Sequence, residues 1–129
     1  MGMVTKRWND PREAEDGTRI LVSRYRPRGV SRSEETWDEW WPDLGPSRAL
    51  HAAYWGKNGQ PRLPFATYRE RYLTEMQAQI FRIRALAGRS AGGETITLLC
   101  SSACSDPALC HRTLLMHLIA EAAQGRRPR

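Results

Sequence analysis

Residues 95–115 read TITLLCSSACSDPALCHRTLL. An apolar, β-branched run stops at Cys100, a small polar loop follows, and Asp106-Pro107 carries the punctuation of a helix start. Aspartate is a favoured N-cap, and proline costs nothing at the first helical position, where its missing N–H would be unpaired anyway. The strand, ETITLLCS over residues 94–101, is apolar enough to be buried on both faces, as strands of parallel sheets are. The helix after it is expected to run from Asp106 to a terminator at Gly125. Strand, short loop and helix form the half-unit of α/β folds with parallel sheets. Such sheets bind ligands outside the carboxyl ends of their strands. All three cysteines of the chain lie in this stretch, so chemistry is sought here first.

Upstream, TRILVSRY over residues 18–25 reads as a second strand, preceded by the turn residues Asp16 and Gly17. MVTKRW near the start reads as a further strand ended by the turn-forming NDP. Two strands so near in sequence suggest a hairpin, although the loop is longer than the tightest types. Residues 33–42 fit either a short helix or a half-buried strand. Ser47 is placed to cap a helix through RALHAAYW that stops at Gly56. From Phe65 to about Ala87, the spacing of Tyr68, Tyr72, Met76, Ile80 and Ile83 predicts the longest helix, with Gly88 as its C-cap.

The 129 residues, 40% apolar with five tryptophans, are enough for one compact domain with a true core. The domain is expected over 1–124, with a basic tail over 125–129. No signal-peptide core and no membrane-length apolar segment is visible, so a soluble cytoplasmic protein is expected. Three cysteines, an odd number, argue for reduced thiols and against a disulfide framework. A net charge of +6 favours phosphate-bearing partners without specifying a site.

The segments DGTRILVSRYRPRGVS, PSRAL, YRERY, LLC and CHR resemble the domain of unknown function 488 family, over most of the chain from about Lys6 to Leu118. The resemblance implies a compact α/β domain with a site shared between the RPRG and CHR segments, and it implies no established reaction. Tyr25 and Arg26 stand where the family commonly has an aliphatic residue and tryptophan, and Cys104 lies in a loop often acidic in relatives. Each departure bears on what such a site accepts.

On the last predicted helix, Leu114, Leu115, Leu118, Ile119 and Ala122 share a side with His111, while His117 points away to solvent. His111 therefore faces inward beside the end of the TITLLC strand. It reads as a core imidazole or as a ligand or acid/base group. Cys110 sits in the first turn, where free N–H groups favour a thiolate; the alternative is an apolar packing residue. Cys110 and His111 are the candidates for catalysis. Arg112 on the helix edge, with Arg24, Arg26 and Arg28 in RYRPRG and with Cys100, is expected to bind a small anionic or phosphorylated ligand at the helix N-terminus. The C-x5-R loop of cysteine-dependent phosphatases is absent.

Two other classes stay open. A metal ion, zinc or iron, would use Cys100, Cys104, Cys110 and His111, because C-x3-C spacing suits zinc. Against this, adjacent helical residues diverge by about 100° and seldom grip one ion. The haem-attachment pattern C-x-x-C-H is absent, and no cofactor is expected beyond such a metal. A nucleic-acid partner would use the arginine-aromatic segments KRW, RYRPRG and YRERY, yet no recognised nucleic-acid module is present. The fold class expected is thus α/β, with a small, mainly parallel sheet flanked by helices. The partner expected is a small anion, and no membrane association is expected.

Overall fold

The computed structural model describes residues 3–125. Of the expected basic tail, residues 126–129 lie outside the described residues. Four strands form one sheet in the order β1-β4-β2-β3, and every pair is parallel. They are β1 (Val4–Arg7), β2 (Thr18–Leu21), β3 (Glu39–Trp40) and β4 (Ile96–Cys100). All five residues of β4 are buried, as a largely apolar central strand covered on both faces requires, and its one polar side chain, Thr97, donates to the Asp16 carbonyl. Four helices complete the α/β architecture: α1 (Arg48–Trp55), α2 (Phe65–Gln77), α3 (Ile80–Ala91) and α4 (His111–Ala123).

The expected hairpin between the first two strands does not form, because β4 lies between them and pairs with both. The cause is a buried arginine. The Arg19 guanidinium is fully inside and donates to the carbonyls of Trp8, Asp10 and Pro11 and to the Asp16 carboxylate. These bonds fold the connection back along the sheet, so that β2 starts at the same end as β1. Residues 33–42 resolve into a helical turn at Arg32–Glu34 and the two-residue edge strand β3.

Alternation along the strands divides the core. Ile20, Val22, Ile96 and Leu98 face the side covered by all four helices. Leu21 and Leu99 face the other side, where Trp37, Trp8 and Val30 cover them. Helices thus occupy one face, and loops carrying aromatic rings close the other.

Ser47 caps α1 by accepting from the Leu50 N–H, and Gly56 ends that helix in the left-handed region at φ 69°. The single helix expected from Phe65 to Ala87 is two helices, interrupted at Ala78 and Gln79, and Gly88 is interior to α3. Tyr68, Tyr72 and Met76 are the buried residues of α2; Ile83, Leu86 and Ala87 are those of α3. Propensity does not mark the break. A change of direction lets α3 pack along α4.

Gly17 holds φ 62°, and a Cβ there would collide with the carbonyl oxygen of Thr95. Left-handed backbone alone costs a non-glycine residue about 1–2 kcal/mol. Gly17→Ala is therefore expected to destabilise by about 2 kcal/mol or more, read from the midpoint of urea unfolding; an unchanged midpoint would contradict the geometry.

Candidate functional site

The chain leaves β4 at Cys100, beside Arg7 of β1 in the register. Asp106 accepts from the Ala108 N–H and Pro107 follows it, but they begin a single 3₁₀ turn, Pro107–Leu109, and not the long helix. At Cys110 the backbone is extended, φ −128° and ψ 144°, and α4 starts one residue later. This corrects the expected helix start. It also removes the objection to Cys110 and His111 acting together, since the divergence of about 100° applies only between two helical neighbours.

Both side chains now meet the end of β4. The Sγ atoms of Cys100, Cys104 and Cys110 all lie within 4.8 Å of one another. The Cys100 thiol donates to Cys104 Sγ at 3.3 Å, and the Ser101 hydroxyl donates to it at 3.6 Å. His111, as expected, faces inward and is 4% exposed. Its Nε2 stands 2.8 Å from the Val22 carbonyl oxygen. A carbonyl can only accept, so Nε2 carries the proton and Nδ1 presents its lone pair. That lone pair is directed into the sulfur cluster, 3.9 Å from Cys100 Sγ and 3.9 Å from Cys110 Sγ. Burial keeps the imidazole neutral, below the ordinary histidine pKa.

The thiols do not share charge equally. Hydrogen bonds from Cys100 and then Cys110 pull the Cys104 thiol well down. Sharing those bonds with Cys104, together with burial, pushes Cys100 up. Cys110 is lowered by its bond with Cys100, but the bond with Cys104 and burial outweigh this and push it up to about 12. The sequence had suggested a thiolate at Cys110, on the strength of the helix end. The thiol that the surroundings favour as thiolate is therefore half-buried Cys104, which accepts from Cys100 and from the Ser101 hydroxyl, and not Cys110.

The arginines expected at the site do not converge on it. Arg24 lines the cavity over the cysteines, but it donates to the carbonyls of Pro46 and Gly45 and pairs with Asp43. Arg26 is paired with Glu35 at 2.7 Å and lies over the Trp37 ring. Arg28 is exposed. Arg112 is 4% exposed, and its Nε and Nη1 meet no hydrogen-bond partner among the described residues. It is an interior cation, whereas the sequence suggested a grip on the helix edge.

The cavity itself offers about 60 Å³ to the centres of water-sized molecules, and Cys100, Cys104, Cys110 and His111 all line it. Its walls include Tyr25, where the chain departs from the family pattern, and His51, Tyr54 and Trp55, which no motif in the sequence points to. A signal was present in α1, where His51 and Trp55 are one turn apart after the Ser47 cap. Nothing in their spacing tied that face to cysteines much further along the chain.

Comparison with known proteins gives this geometry its family. The model described as "Active DUF488-N3 subclade" matches residues 3–123. The chain belongs to the DUF488 family. It is 41% identical over 76 residues to the uncharacterized protein YeaO of Escherichia coli (strain K12), covering 59% of this chain and 63% of that one. It is 32% identical over 80 residues to the uncharacterized proteins Mb3100c of Mycobacterium bovis and Rv3073c of Mycobacterium tuberculosis, covering 60% of this chain and 64% of each. The match thus spans less than two thirds of the length of these DUF488 relatives. No solved structure matches the chain. Among the described residues of this DUF488 chain, no helix is long and apolar enough to cross a membrane.

Proposed function

We propose that this DUF488 protein binds a zinc-class metal ion through the thiolates of Cys100, Cys104 and Cys110, with Nδ1 of His111 as fourth donor. One observation carries the reading: three sulfurs within 4.8 Å of one another and an imidazole lone pair 3.9 Å from two of them. With Zn–S of about 2.3 Å and Zn–N of about 2.0–2.1 Å, tetrahedral coordination separates donor atoms by roughly 3.6–3.8 Å. The three sulfurs close to these separations by shifts of up to about 1 Å, and His111 completes the set by turning further toward Cys104, since its Nδ1 is within 3.9 Å of Cys100 and Cys110 alone. The bond from His111 to the Val22 carbonyl is the outer-shell contact that fixes the tautomer of a metal-binding imidazole. Thiolate and imidazole together favour zinc over magnesium or calcium, which take oxygen donors.

The test is the metal content of untagged protein by mass spectrometry, before and after incubation with zinc. About one zinc per chain is expected, falling below a tenth in Cys104→Ser and Cys110→Ser. Cobalt in place of zinc should give the intense sulfur-to-metal absorption of several thiolates, weakened stepwise by each serine. Folded protein that takes up neither ion would overturn the reading.

Arg24 and Arg26 are engaged with other partners, so the metal reading comes first at the cysteines themselves. An anion fits better at the mouth of the same cavity.

A further inference from the structure

We infer that the cavity above the cysteines takes a planar, single-ring anion, with the ring inward between aromatic walls and the anionic group outward at a cationic rim. The inference rests on the cavity and not on the metal reading, although the same sulfurs form the cavity floor.

The walls come first. Tyr25 and His51 meet edge to face, with centroids 5.1 Å apart, and His51 and Trp55 lie 6.4 Å apart. Tyr54 backs them, stacked on Tyr68 at 4.0 Å. A pocket sided by rings in several orientations selects a flat ligand, which finds both edge and face contacts there. Space of about 60 Å³ for water-sized centres holds on the order of four waters, which matches one ring and not two fused ones.

The rim of the cavity is cationic. Arg48 and Lys57 lie 6.0 Å and 5.9 Å from the Tyr25 ring, and Arg62 lies 5.1 Å from the Trp55 ring. No carboxylate lines the cavity among the described residues. Tyr25 is 43% exposed, so the cations above it stand at the mouth. The floor is sulfur and carries no cation. A ligand with its charge inward would face the cysteines; with its charge outward it meets Arg48 and Lys57.

A third observation points to a ligand and not to a surface feature. The His51 Nδ1 is buried, yet it meets no hydrogen-bond partner among the described residues. An unsatisfied buried nitrogen costs about 1–3 kcal/mol, and a turn of the His51 ring, which lines the cavity, would bring it within reach of a ligand donor.

The test is calorimetric titration with phenyl phosphate, benzoate, phenol and inorganic phosphate, on protein with and without added zinc. Phenyl phosphate or benzoate should bind at least tenfold more tightly than phenol or inorganic phosphate. A preference between the two tells whether the anionic group is phosphate or carboxylate. Arg48→Gln/Lys57→Gln should weaken phenyl phosphate at least tenfold and leave phenol unchanged, and Trp55→Leu should weaken both. Phenol binding as tightly as phenyl phosphate would overturn the anionic assignment; inorganic phosphate doing so would overturn the planar one. Binding by none of the four, with the protein folded by circular dichroism, would overturn the inference altogether. Tight phenyl phosphate binding by protein that takes up no zinc would sink only the metal reading.

Discussion

Adding zinc to metal-free protein is expected to raise its unfolding temperature by roughly 15 °C. An ion that binds the folded chain alone stabilises it by about 4 kcal/mol when its free concentration is a thousandfold above Kd. In a domain of this size each kcal/mol moves the midpoint by roughly 4 °C. The four donors lie within residues 100–111, so an unfolded chain that holds zinc weakly takes back part of this rise. The folded chain keeps the larger share, because strand, loop and helix start already hold the three sulfurs within 4.8 Å of one another. Chelation should reverse the rise, and Cys104→Ser should abolish it. His111→Ala should do more than remove a donor. It would also leave the Val22 carbonyl without the bond at 2.8 Å, so the metal-free variant should itself lose about 1–3 kcal/mol. His111→Gln retains a donor for that carbonyl and should recover part of the stability without recovering the metal. Differential scanning calorimetry at matched free zinc reads all of these, and a midpoint indifferent to zinc would sink the metal reading.

Much of what positions this site could be read directly from residues. The largely apolar run 96–100, with Thr97 its one polar residue, identified a central strand, and it pointed to a parallel sheet, whose strands are covered on both faces. The amphipathic phase of the last helix placed His111 inward, where it is. Other features depend on contacts that no local pattern carries. The hairpin expectation failed because a charged residue, Arg19, is buried and organises the connection before it; an arginine in a strand ordinarily signals an exposed face. The proline-led turn at 107–109 looks in sequence like the first turn of a helix. Whether it continues depends on Cys110, whose extended backbone lets its side chain join the sulfur cluster. That one residue decides whether the cysteines and the histidine form a single set of donors, and no propensity scale separates the two outcomes. The aromatic walls were hidden for a similar reason. Tyr25 comes from the loop after β2, and His51 and Trp55 from a helix well before the cysteines, and only the fold brings them over the same pocket.

Asp16→Asn is expected to destabilise the fold by about 3 kcal/mol, although the residue does not line the cavity. The Asp16 side chain is 3% exposed and pairs with Arg19 at 2.7 Å and with Lys6 at 2.8 Å. Breaking a buried pair by removing one partner costs about 3–5 kcal/mol, because the other charge stays inside uncompensated. The lower end applies here, since three backbone carbonyls still accept from Arg19. The dependence on pH follows from the same contacts. Burial alone would raise the Asp16 carboxyl, but hydrogen bonds from Lys6, from the Glu13 N–H and from Arg19 outweigh it and bring the pKa to about 2, below the ordinary 3.8. A group depressed by folding stabilises above its unfolded pKa. The contribution of Asp16 is therefore complete above about pH 4 and is lost as pH falls from there toward 2. Wild-type protein should weaken steeply through that window, and Asp16→Asn should show a shallower slope, both measured by urea unfolding at successive pH values. Removing both charges separates this account from simple loss of packing. Replacing a buried ion pair entirely by apolar groups of similar volume is often close to neutral. Asp16→Asn/Arg19→Met should accordingly recover part of what Asp16→Asn loses. If the double variant is instead worse by the full sum of the two single changes, the pair acts through its separate contacts to the 8–11 connection. The buried arginine would then hold the crossover of β1 and β2 without needing its carboxylate.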